Sequence, residues 1–137
     1  MPLAPLTRDG PLGVVLLAIA VGAVCGAWLR WGLSYWLNPR LAHLPLGTLA
    51  ANLVGGYLIG VAVAVFAAHP AISPAWRLVL ITGFLGSLTT FSTFSSESVA
   101  LMQGGAYGPA LLHAGLHLFG SIAATFAGIA TVRLVAA

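Results

Sequence analysis

The chain contains no lysine, only two acidic residues and a single cysteine, and charged side chains make up 5% of its 137 residues. A soluble domain carries about 25% charged residues. With 60% hydrophobic residues and so few charges, no folding of this chain could cover a globular surface with groups that water solvates. The bilayer is the solvent that remains. Cys25, being alone, excludes an intrachain disulfide and reads as a small packing residue. The missing lysines and the scatter of five arginines exclude a basic patch for nucleic acid. Enzyme motifs are absent too: there is no HExxH, no GxSxG and no phosphate loop ending in lysine, and Asp9 and Glu97 cannot form a catalytic carboxylate pair. The composition calls for an integral membrane protein that is not an enzyme.

What the chain has in abundance is apolar sequence, cut into lengths by its charges. Leu12 to Leu29, Leu41 to Trp76, Leu78 to Ser96 and Ser98 to Val132 carry no charge. A helix crossing a bilayer needs about 20 apolar residues. The gaps therefore predict one all-α domain over 1–137 with spans near 12–36, 46–68, 77–102 and 110–133, joined by turns at 69–74 and 103–109. The first apolar run exceeds the roughly 7–15 residues of a signal-peptide core, so it is expected to be a retained helix. Trp28, Trp31, Tyr35, Trp36 and Trp76 fall near predicted span ends, where interfacial aromatics belong.

With four spans, Arg8, Arg77 and Arg133 fall on one membrane side and Arg30 and Arg40 on the other. So even a distribution gives almost no positive-inside bias. Insertion in both orientations, and hence an antiparallel homodimer, is the resulting hypothesis. Gly22 with Gly26, and Gly56 with Gly60, lie four apart. Such pairs let helices approach closely where lipid supplies no hydrophobic drive for association.

The third span holds the least membrane-like sequence, GFLGSLTTFSTFSSE (83–97). Glycines weaken a helix by about 1 kcal/mol each relative to alanine, and hydroxyls compete for its backbone bonds. A break near Gly86 to Thr89 is expected at mid-membrane, freeing carbonyls for a cation, water or side-chain donor, or else leaving a kink satisfied by neighbouring hydroxyls. Asn52, flanked by Thr48 and Gly56 at helical spacing, is either interhelical glue or part of a polar path. Phe91 and Phe94 share a face among Thr89, Thr90, Ser92, Thr93 and Ser95. Their positive ring edges suit an anion, and the neighbouring hydroxyls can donate to the same ion. Arg30 either snorkels to the headgroups or attracts anions to a vestibule. Glu97 lies within helical reach of Thr93, and is expected protonated or paired away from an anion route. His113, His117 and Ser121 form a polar stripe on span four. Two histidines four apart can ligate zinc, but no cysteine or carboxylate set is seen to complete a site.

These segments together resemble the Fluc (CrcB) family of fluoride channels. GTLAANLVGGYLIG (47–60) is similar to that family's GTLxxNxxGxxxxG pattern, and GFLGSLTTFSTFSSE resembles its third-span hallmark, with Ser87 where a further glycine is common. GAVCGAWLRW (22–31) is similar to its first-span Gly-x-x-x-Gly-x-x-x-Arg. The resemblance covers nearly the whole chain. It implies a dual-topology antiparallel homodimer in the inner membrane, with two pores that passively export fluoride. It also implies a structural sodium ion at the dimer centre, held by carbonyls at Gly86 and Thr89. Asn52, Phe91 and Phe94 match pore positions, as do Ser92 and Thr93 on the polar track and Arg30 at the vestibule. Thr48 lies in the second-span pattern, and Ser121 and His117 match the pore-facing stripe of span four, a hydroxyl being usual where His117 stands. Rival readings are a small proton-coupled multidrug exporter and a structural membrane subunit. The first needs an early carboxylate that span one lacks, and the second leaves the Thr/Ser/Phe run without a purpose.

Overall fold

The computed structural model describes residues 6, 7, 10–41 and 44–136; Arg8 and Asp9 of the charge argument lie outside them. Helix α1 runs Leu12–Leu37, preceded by a two-residue antiparallel pairing of Leu6–Thr7 with Gly10–Pro11. Helix α2 is Leu46–Ala68. The third span is composite: α3 (Pro74–Arg77), a π-helical stretch Leu78–Leu85, α4 (Gly86–Leu88), and α5 (Phe91–Gln103). Helix α6 is Tyr107–Val135. Four segments are long and apolar enough to cross a membrane, Leu12–Arg40, Leu46–Ala68, Pro74–Gln103 and Tyr107–Val135. The protein is therefore a multi-pass, all-α membrane protein.

Each boundary has a local cause. The Asn38 side chain accepts from the Gly47 amide at 2.7 Å and ties the end of α1 to the start of α2. Ser73 caps α3 by accepting from the Ala75 amide, with Pro74 in the first turn, where a missing N–H costs nothing. The expected turn at 103–109 is shorter than its glycines and proline suggest. Tyr107, Gly108 and Pro109 already belong to α6, because proline is tolerated in a first helical turn.

The chain packs as two pairs of helices. α1 lies against the π-helical stretch, and α2 lies against α6. Between them sits a small core of Ala51, Leu85 and Leu88, with Leu33, Leu58 and Phe84 packed on it. Glycines make both pairings possible. The first-span pair Gly22 and Gly26 backs directly onto the main chain of Val79 and Phe84, and Gly60 of α2 backs onto Thr125 of α6. Gly83 belongs to this set and not to the break. A β-carbon there would lie 2.6 Å from the Ile19 carbonyl oxygen and 3.0 Å from Gly22 Cα. The interfacial aromatics Trp28, Trp31, Tyr35, Trp36 and Trp76 are all exposed, and Trp31 stacks on Tyr35 at 5.4 Å.

Overpacking at a backbone-to-backbone contact costs about 1–3 kcal/mol. Gly83→Ala should lower stability in detergent by that amount. Gly115→Ala, which meets open space in α6, should be neutral or slightly stabilising. Thermal unfolding followed by circular dichroism compares the two, and equal melting would refute the close approach.

Candidate functional site: the broken third span

Thr89 lies midway along the 30-residue third span and leaves the helix there. Thr89 has φ −80° and ψ 153°, and Thr90 has φ −152° and ψ 113°, so two consecutive residues are extended. In lipid, such a break must find partners for its backbone groups. Asn52 of α2 supplies them. The Thr90 amide donates to Asn52 Oδ1 at 2.8 Å, and Asn52 Nδ2 donates back to the Thr90 carbonyl at 3.1 Å. Thr90 then starts the next helix, its hydroxyl accepting from the Thr93 amide at 3.1 Å as an N-cap. The same hydroxyl donates to Thr93 Oγ1 at 3.0 Å and lies 3.3 Å from Ser92 Oγ.

This exchange leaves two acceptors over. In a continuous helix the Gly86 carbonyl would receive the Thr90 amide, and the Thr89 carbonyl would receive the Thr93 amide. Both amides are committed elsewhere, to Asn52 and to the Thr90 hydroxyl. The carbonyls of Gly86 and Thr89 are thus released from the helical ladder at the centre of the span.

Around the break lies a cavity of about 520 Å³. Its lining brings together Asn52, Gly86, Thr89, Phe91, Phe94, His117 and Ser121, along with Thr90, Thr125 and the backs of Gly55 and Gly56. Phe91 and Phe94 pack ring against ring at 5.3 Å, and Phe94 lies 4.7 Å from the His117 ring. Phe91 is 79% exposed and so offers most of its ring to whatever lies beside the chain.

Other expected site residues lie beside this cavity. Ser92 and Thr93 do not line it; their hydroxyls meet the Thr90 cap. Arg30 is half-buried on α1, away from the lining. Thr48 is fully buried and donates to Glu97 Oε1 at 2.6 Å. That contact stands in place of the expected local bond between Thr93 and Glu97: the carboxyl group reaches across to α2. Glu97 Oε2 also lies 3.5 Å from His113 Nε2. The sequence showed no carboxylate to join the two histidines, yet Glu97, His113 and His117 place one potential ligand atom each within 4.8 Å of one another. A contact between residues on separate spans has no local sequence signature.

Two contributors went unread in the sequence. Thr90 is the hinge of the whole arrangement, and its signal was a hydroxyl three residues before Thr93 at the head of a helical run. Thr125 extends the stripe of His113, His117 and Ser121 by one more turn. Its hydroxyl donates to the carbonyls of Gly56 and Ser121, each at 2.9 Å, which ties α6 to the cavity face of α2.

A family model described as "CrcB-like protein, Camphor Resistance (CrcB)" matches residues 17–129. The chain is 59% identical over 127 residues to a protein of Cupriavidus pinatubonensis named fluoride-specific ion channel FluC, covering 93% of this chain and 99% of that one. Proteins of the same name from Albidiferax ferrireducens and Chromobacterium violaceum are similar. The first is 58% identical over 126 residues, with 92% and 96% covered, and the second 59% over 116 residues, with 85% and 92% covered.

Removing an N-cap hydroxyl costs about 0.5–2 kcal/mol. Thr90→Ala should lose that much stability and Thr90→Ser should retain most of it. Thermal unfolding in micelles reads the difference, and an unchanged Thr90→Ala would show that the cap does not hold α5.

Proposed function

Since the chain belongs to the CrcB-like protein family, we propose that it is a fluoride channel of the cell's inner membrane, exporting the ion passively and lowering its cytoplasmic concentration. The observation that carries this reading is the mid-span cavity, where donors and ring edges converge without a lysine or arginine. Fluoride is small and strongly hydrated, so its water must be replaced by several donors at once. The His117 ring and the Ser121 hydroxyl supply polar contacts, and the Asn52 amide, its own groups committed to Thr90 and His117, holds the break and the ring in place. The rings of Phe91 and Phe94 supply positive edges that favour an anion without trapping it. Thr48, Ser92 and Thr93 continue the polar track toward the span end, and Arg30 draws anions to the vestibule.

The working unit in this reading is an antiparallel dimer with two pores. Small-residue seams and nearly balanced arginines favour insertion in both directions. The exposed Phe91 and the cavity beside it then face the second copy. The released carbonyls of Gly86 and Thr89 suit a hard cation, which prefers oxygen ligands, and these residues would hold a sodium ion between the subunits. Such an ion supplies fixed positive charge near the anion path.

Two experiments test the reading. Purified protein in liposomes should release fluoride, read by a fluoride electrode, without any proton gradient. Phe94→Ile and Asn52→Asp should each impair that flux while the dimer stays assembled, and normal flux in both would remove the pore assigned here. Reporter fusions at the C-terminus should appear on both sides of the membrane, and a single-sided result would refute the antiparallel dimer.

A further inference from the structure

A histidine in an ion path can offer three different faces. A neutral imidazole presents either an N–H or a lone pair at a given nitrogen, and the cation presents two N–H groups. Which form exists is set by the partner of the other nitrogen. For His117, that partner is Asn52, whose own orientation is fixed independently. Its Oδ1 accepts from the Thr90 amide at 2.8 Å and its Nδ2 donates to the Thr90 carbonyl at 3.1 Å. Flipping the amide would set donor against donor and acceptor against acceptor at once. Nδ2 is therefore a donor, and it lies 3.0 Å from His117 Nδ1. A nitrogen that receives a hydrogen bond holds its lone pair, so Nδ1 is bare and the ring proton sits on Nε2. A doubly protonated ring would turn an Nδ1–H against the Asn52 N–H.

We propose that Asn52 is a positioning residue that holds His117 as the neutral Nε2–H tautomer, so that the pocket offers a small anion an uncharged N–H donor and withholds the ring from metal ions. The proposal rests on the channel reading only for the identity of the anion. A second observation supports it. His117 is 5% exposed, it lines the cavity, and its Nε2 has no hydrogen-bond partner among the described residues. Buried donors are nearly always satisfied, so a donor left over on a residue that lines a cavity calls for an acceptor from outside the chain's own hydrogen bonds.

The same geometry decides against the competing metal site. By distance alone, Glu97, His113 and His117 could enclose an ion such as zinc. Metal binding needs a lone pair on the ligating nitrogen, with the second nitrogen donating its N–H to a carboxylate or carbonyl. Here the second nitrogen of His117 meets an amide donor instead, which is the reverse arrangement. Asn52 thereby selects an anion over a cation with one hydrogen bond.

The test uses the assembled wild-type protein in nanodiscs with ¹⁵N-labelled histidine, the His117 signals being identified by their loss in His117→Gln. The expected spectrum has a protonated, pyrrole-type Nε2 and a pyridine-type Nδ1. Added fluoride should shift the Nε2–H resonance, and chloride at the same concentration should not. A protonated Nδ1 overturns the positioning role, and an Nε2–H indifferent to fluoride overturns the donor role. The expected tautomer in a protein that releases no fluoride from liposomes would sink the channel reading and leave the positioning role standing. Asn52→Asp, whose carboxylate can accept from an Nδ1–H, should bind zinc about 10–100-fold more tightly than wild type, read by equilibrium dialysis. Equal affinities would overturn the proposal.

Discussion

Two hydrogen bonds between the Asn52 amide and the Thr90 main chain, at 2.8 and 3.1 Å, make the rest of this structure possible. An unsatisfied backbone group in hydrocarbon costs several kcal/mol, so two extended residues at mid-span would otherwise drive the segment back into a helix. The asparagine presents an acceptor and a donor spaced like those of a neighbouring strand, and so replaces the partners the broken helix has given up. The Thr90 hydroxyl completes the repair by restarting the helix as a cap. A single polar residue on α2 therefore holds the third span open, and its remaining N–H is spent on His117 of α6. Three spans meet at one amide.

The hydroxyls that look so costly in α5 are less so than their number suggests. Ser95, Ser96 and Ser98 donate to the carbonyls of Phe91, Thr93 and Phe94 at 2.8–2.9 Å. Such back-bonding satisfies each hydroxyl within its own helix, so these residues are tolerated without a wet surrounding. The groups that still need an outside partner are fewer and better defined. Among the described residues they are the carbonyls released at Gly86 and Thr89, the Nε2 of His117, both ring nitrogens of His113 and the Oε2 of Glu97. Unmet need is concentrated at the break, at His117 and at the Glu97–His113 contact, not spread along the hydroxyls of α5.

The sequence disclosed what depends on local or periodic chemistry. Charge-free gaps placed the four spans, and glycines four apart on α1 and α2 marked the seams where backbones touch. The break near Gly86 to Thr89 followed from weak helix formers in a row. Other features depend on which spans become neighbours, and for those the residues gave no signal. Gly83 read as a helix breaker because its contact with Gly22 and the Ile19 carbonyl is set by packing of a distant helix. Glu97 looked bound to Thr93 by spacing, yet its partners are Thr48, 49 residues away on α2, and His113 on α6. Thr90 carried a local cap signal, a hydroxyl three residues before Thr93, but its pairing with Asn52 depends on α2 lying alongside.

The lone chain leaves a face that its own helices do not cover. α5 has no buried residue, Phe91 is 79% exposed, and Gly86 is exposed at the break. Apolar rings can face lipid without cost, but freed carbonyls cannot. In the proposed antiparallel dimer a second broken span would meet the first with the opposite direction, bringing two sets of carbonyls toward one axis, where a cation offsets their shared negative ends. The cavity beside the same break is lined by His117 and Phe94 as well as by Gly86 and Thr89. Breaking one helix thus frees the Gly86 and Thr89 carbonyls while Asn52 holds the Thr90 amide across the gap. In the proposed reading, that release would let a chain with so few formal charges hold a cation between two copies while its cavity takes an anion.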